Sequence, residues 1–190
     1  MEPMELRQIF RIILGACIDL TIFGVSIPWI TIVAGKNLDA ALFAAINLDS
    51  MFFDLIGIAL IVMGAGWFSW ASLLLIRDGH GYLTELFCIE ISPVTERLIT
   101  EGPFAVHRHP ICVGYLAILA GVSFLLGVFG ALVVVIPLLL FLTYIYLRLF
   151  EEPCLKRRFG SDYQVYAERV HLFWPSVSSC CLGRPSRRFR

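Results

Sequence analysis

The chain has 190 residues, of which 58% are hydrophobic and only 16% charged, and its mean hydropathy is +0.81. A soluble domain of this length has too little interior to hide so much apolar surface, so the composition excludes an ordinary water-soluble fold and predicts a membrane protein. Fifteen basic and fifteen acidic residues cancel to zero formal charge, which gives no electrostatic footprint for a nucleic-acid partner.

A membrane-spanning helix needs about 20 mostly apolar residues. The first such run covers about 9–33, with Asp19 as its internal acid and Pro28 as an expected kink. It is too long for a signal-peptide core and lacks a small-residue cleavage site, so it is expected to stay in the chain. Asp19 sits mid-span, where an ionised side chain needs a partner or a function. The second run covers about 51–76, with Asp54 in its first turn, where a carboxylate complements the helix dipole. The apolar block from Ile111 to Phe150 is too long for one helix. Gly127-Val128-Phe129-Gly130 divides it into short spans of about 111–126 and 131–150 joined by a tight turn, with Pro137 inside the second. The expected architecture is therefore all-α: one domain over 1–190, four transmembrane helices and a C-terminal amphipathic helix.

Charge sets the orientation. Of fifteen Lys and Arg residues, only Lys36 falls on the side holding 34–50 and the 127–130 turn. The positive-inside rule then puts both termini and the 77–109 segment in the cytosol. The six cysteines show neither a disulfide framework nor a zinc spacing, so no metal is expected. The basic tail 176–190, with Cys180 and Cys181, reads as disordered, with a palmitoylated arm as the alternative.

Two segments carry candidate chemistry. The first, 94–112, contains Gly102-Pro103, which predicts a turn, and His107-Arg108-His109-Pro110. His109 is biased to extended backbone by the following proline, and Pro110 suits the first turn of the third span. Free N–H groups there suit a carboxylate, although Arg and His at a span boundary are also ordinary anchors. The second, 148–175, opens on Arg148 and the pair Glu151-Glu152. Two acids at the end of a span oppose its dipole, which predicts a ligand or a cationic partner. Gly160 is expected to break the following helix, and Ser161 with Gln164 to restart it. Leu155, Phe159, Tyr163, Tyr166 and Val170 then form one apolar face, lying on the membrane or on the core.

Gly-Pro-aromatic, Arg-His-Pro, a hydrophobic hairpin, Glu-Glu, Phe-Gly and two tyrosines, in that order from about Glu96 to Pro175, resemble the isoprenylcysteine carboxyl methyltransferase family. The phospholipid N-methyltransferases look like its relatives. The resemblance implies S-adenosylmethionine as cofactor, bound at the cytosolic end of the hairpin. Glu96, Arg97, Leu98, Ile99, Phe104, His109, Pro110, Ile111 and Cys112 would line it from one segment, and Glu151 would hold it from the other. It also implies a substrate-contacting arginine one turn before that glutamate. Leu147 stands at that position and Arg148 one place beyond, while Phe104 and Cys112 replace tyrosines usual in the family.

The function that follows is methylation of the carboxylate of a prenylcysteine or similar lipophilic acid, entering sideways from the bilayer lipids. Arg148 would orient the substrate. Methylation of a lipid amine or a thiol is the alternative, with Glu152, His107 or His109 as candidate bases. A non-catalytic membrane scaffold of the same fold is the rival from another class.

Overall fold

The structure is a computed structural model that describes residues 6–44, 46, 48, 50–79, 85–86, 89–90, 95 and 97–175. Glu96 and the tail 176–190 lie outside the described residues. The first helical run comprises α1 (Leu6–Asp19), a π-helical stretch (Leu20–Ser26) and α2 (Ile27–Leu42). Helix α3 spans Met51–Gly79. A two-residue antiparallel hairpin follows, β1 (Glu85–Leu86) and β2 (Ile89–Glu90), and then the single turn α4 (Pro103–Val106). Helix α5 spans Pro110–Leu125. The last run joins a π stretch (Ala131–Val135), α6 (Ile136–Tyr146), a second π stretch (Leu147–Glu151) and α7 (Glu152–Arg169).

Three helical runs are long and apolar enough to cross a membrane: Ile13–Leu42, Met51–Gly79 and Ala131–Arg169. The expected third span, α5, is apolar but has only 16 residues. At 1.5 Å per residue it rises about 24 Å, against a hydrocarbon core of about 30 Å. Among the described residues, length and composition alone thus support three of the four expected spans.

Each π stretch has the same cause. Pro28, Pro137 and Pro153 stand two residues after the three wide turns, at the start of the next α-helix. A proline lacks the N–H that would bond the carbonyl four residues back, and its ring pushes against that carbonyl. Those carbonyls belong to Gly24, Val133 and Leu149, each inside a π stretch. The expected kink at Pro28 is thus taken up as a widened turn. Asp19, at the start of the first one, engages a partner within the protein.

Helices α3 and α5 pack through glycine. A Cβ on Gly57 would lie 2.9 Å from the Gly121 carbonyl oxygen, and one on Gly64 would lie 2.7 Å from that of Gly114. The two pairs run in opposite order, so the helices are antiparallel, with their backbones in contact. Small residues permit this approach, and van der Waals packing is what holds helices together where water supplies no driving force. Gly127 has φ +62°, which closes the turn between α5 and the last run. One turn on, the Gly130 N–H donates to Asp39 Oδ1 at 2.6 Å. This satisfies one of the donors left open at the start of a helix.

Helix α7 is broken at Gly160, as expected: its backbone (φ +58°, ψ −129°) is non-helical and joins two helices across a kink. Its apolar face packs on the protein: Tyr163, Tyr166 and Val170 form a buried cluster with Leu98, Leu155, Phe159 and Ala167. Of the two placements open to it, this face covers the core.

Candidate functional site

Three chain segments converge at one end of the bundle: the extended stretch before α5, the π turn ending α6, and the first turn of α7. His109 caps α5 with φ −123° and ψ 65°, and Pro110 opens the helix behind it. That backbone carries the His109 ring inward, where it is 6% exposed and its Nδ1 lies 3.3 Å from Glu151 Oε1. Arg108, one residue earlier, forms an ion pair with Glu152 Oε1, and both side chains are about nine-tenths buried. Arg148 Nη1 reaches the other carboxylate oxygen, Oε2, at 3.0 Å.

The Glu-Glu pair does have cationic partners, but for a different reason from the dipole argument. The helix continues through both residues into α7, so no helix end opposes them. What requires the cations is burial, since a desolvated carboxylate is costly unless it is paired and hydrogen-bonded.

The π turn governs which residue faces the site. Leu147, where the resemblance placed an arginine, is fully buried. Arg148 begins on the outer surface, half-exposed, and reaches back to Glu152. The wide turn from Leu147 to Glu151 takes up one more residue than an α-turn, and it brings both Glu151 and Glu152 within reach of cations.

Hydrogen bonds from the C-terminal half of α7 and the stretch after it lock the loop in place. The Tyr166 hydroxyl donates to the Phe104 carbonyl at 2.6 Å, and the Arg108 N–H donates to the His171 carbonyl at 3.0 Å. The turn at Gly102 (φ +61°) seats Phe104 in the interior. In the sequence, Tyr166 stands out only as part of an apolar face. Its spacing from Tyr163 was visible, but its carbonyl partner 62 residues away was not.

The other expected site residues divide into three groups. Pro110, Ile111 and Cys112 make the first turn of α5, with Pro110 buried, the other two half-buried and Cys112 a free thiol. Leu98 and Ile99 are half-buried, Leu98 on the tyrosine cluster and Ile99 against Gly79. Arg97 is exposed. Helix α3 adds a neighbour that the sequence did not signal: Trp67 meets the His107 ring edge-on at 6.0 Å. Burial holds the His107 pKa below its usual value, opposed by hydrogen bonds to the backbone of Phe173 and Trp174. Among the described residues, Trp67 Nε1, His107 Nδ1 and His109 Nε2 are buried without a hydrogen-bond partner. No cluster of His, Cys, Asp and Glu among them could hold a metal ion.

A family model described as phospholipid methyltransferase matches residues 53–162, more than half of the chain. The match takes in α3, the loop, α5, α6 and the first half of α7, and so covers both charged segments. No curated protein and no solved structure matches the chain.

Proposed function

Because the chain belongs to the phospholipid methyltransferase family, we propose that this membrane methyltransferase uses S-adenosylmethionine and methylates the polar head of a lipophilic substrate drawn from the bilayer. The observation that supports the reading most is the meeting of His109 with Glu151 and of Arg108 with Glu152 at one end of the bundle. The residues present suit the cofactor. Its amino-acid part carries a carboxylate and an ammonium. Here His109 Nε2 is a buried nitrogen with no partner among the described residues, and Glu151 is an acceptor about one-third open to solvent. His109 would hold the carboxylate and Glu151 the ammonium, with Pro110, Ile111 and Cys112 forming the apolar wall.

When bound, S-adenosylmethionine supplies a methyl group already activated on a sulfonium sulfur. The remaining task for the protein is to align the nucleophile and exclude water. Arg148, half-exposed, would orient an anionic head group. A prenylcysteine-like carboxylate is ionised at neutral pH and needs no base, which agrees with Glu152 being tied to two arginines. The family description supports a second reading, an aminophospholipid. Its phosphate suits Arg148 equally, but its ammonium must lose a proton. His107, kept neutral by burial and with Nδ1 unpartnered, is the imidazole available for that role.

We further propose that α5 crosses the bilayer as a short fourth span against α3, with both termini and the site on the cytosolic side. An impermeant thiol reagent should then label cysteine placed at position 36, but not at 77, in sealed right-side-out membranes.

Product chemistry tests the substrate reading. A carboxyl methyl ester releases methanol in mild alkali, whereas an N-methyl product does not. With a carboxylate nucleophile, single-turnover transfer should be nearly flat from about pH 6.5 to 8.5. An amine should show a rate that rises with pH. A base-stable product would overturn the carboxylate reading and leave the aminophospholipid.

A further inference from the structure

Arg148 does not stand alone on the bilayer-facing surface. One turn earlier, Tyr144 presents its hydroxyl 3.4 Å from Arg148 Nε, and its ring lies 5.9 Å from the guanidinium carbon. Arg148 Nη1 is taken by Glu152. Two of the three guanidinium nitrogens are therefore held on opposite sides, and among the described residues Nη2 makes no hydrogen bond. We propose that Tyr144 is the positioning residue for Arg148, fixing the guanidinium so that Nη2 meets an anionic group of the lipophilic substrate, a carboxylate or a phosphate, at the bilayer edge. This deepens the role of Arg148 in the proposed function and rests on it.

Three features support the assignment. A free arginine has many rotamers, and ordering one on binding weakens affinity, so an arginine already held binds an anion more tightly. Charge is complementary as well. Arg108 and Arg148 share the single carboxylate of Glu152, which leaves one positive charge for an incoming anion, while Glu151 is engaged by His109 on a separate contact. Position supplies the third. Fully buried Leu147 fills the inward place, so an arginine at 148 starts on the outer face. It needs an anchor on that face, and Tyr144, 41% exposed and four residues earlier, is on it. An ordinary interfacial tyrosine would share the location but would not be coupled to Arg148.

The test measures binding without methyl transfer, so an outcome here is separate from whether the chain proves to be a methyltransferase. Two matched probe pairs are bound to the full chain in nanodiscs. N-acetyl-S-farnesylcysteine is compared with its methyl ester, and a lysophosphatidic acid with the monoacylglycerol of the same chain. The ratio of Kd values within a pair isolates recognition of the anion from burial of the tail. The wild type should prefer the anionic member of at least one pair, and the preferred pair identifies carboxylate or phosphate as the source. Tyr144→Phe keeps the ring and removes the hydroxyl. It should cut that preference about five- to tenfold, within the range for the net contribution of one ordinary hydrogen bond. Binding of the uncharged member should stay within about twofold. Arg148→Ala should cut the preference at least as much, and the double variant no further than Arg148→Ala alone. Undiminished preference in Tyr144→Phe would overturn the proposal, as would strictly additive losses in the double variant. So would a wild type that prefers neither anion.

Discussion

The two ends of the helix bundle are closed by different chemistry, although α3 and α5 run through both. At the end away from the site, aromatic contacts and a side-chain hydrogen bond between separate helical runs join the described residues. Phe43 meets Phe129 edge-on at 5.2 Å, Phe53 stacks on Phe124 at 6.0 Å, and Asp39 accepts from the Gly130 N–H. At the site end the same antiparallel pair gives way to two arginines, two histidines and two glutamates. Several buried nitrogens there have no partner among the described residues. Folding alone would favour the first solution at both ends. A buried ion cluster is seldom more stabilising than an apolar replacement, and each unpartnered polar atom adds a cost. The excess polarity at one end therefore points to binding, whereas the spare, satisfied contact at the other points to architecture.

Removing single groups should expose that contrast. Glu152→Ala leaves Arg108 buried without its carboxylate. Breaking a buried pair in this way costs about 3–5 kcal/mol, so the unfolding transition in detergent should move far more than for any change at the opposite end. Gly121→Val acts on the α3–α5 contact, because its Cβ would meet the Gly57 carbonyl oxygen at 2.6 Å. It should destabilise by about 1–3 kcal/mol, while Gly66→Val, with nothing within 4 Å, should be close to neutral. Equal effects from the two valines would contradict the close α3–α5 contact. Asp39→Ala deprives the Gly130 N–H of its acceptor and should cost about 1 kcal/mol without altering ligand binding.

The smallest expected effect is a pH dependence. Burial lowers the His107 pKa, so the fold favours neutral imidazole. Its contribution is complete above the unfolded value of about 6.5 and is lost as pH falls through that value toward the folded one. Stability of the wild type should thus decline below about pH 6.5, and His107→Gln should flatten that decline. A steeper decline in the variant would contradict the assignment.

The helical membrane class, the turns at Gly102 and Gly127, and the two charged segments were legible in the sequence, because hydropathy, glycine and motif order act locally. Other features depend on pairings across the fold that no local pattern specifies. Arg108 was visible as a boundary residue, but its partner Glu152 is 44 positions on. Pro28 announced a kink and Pro137 was visible inside a span, yet neither showed that it would widen the preceding turn, nor did Pro153 show that the turn before it would set how Arg148 reaches Glu152. A 16-residue apolar run reads as a crossing, and only its glycine contact with α3 shows why so short a helix is held among longer ones.

Binding of S-adenosylmethionine to the purified full chain, measured by calorimetry for the wild type, Glu151→Ala and Asp39→Ala, tests the central claim most directly. Glu151 holds His109 at the polar end and Asp39 holds Gly130 at the other. The expected result is binding by the wild type, a loss of about 1–3 kcal/mol in Glu151→Ala, and affinity unchanged in Asp39→Ala. No binding by the wild type, or the same loss in both variants, would contradict a cofactor site built from these two segments.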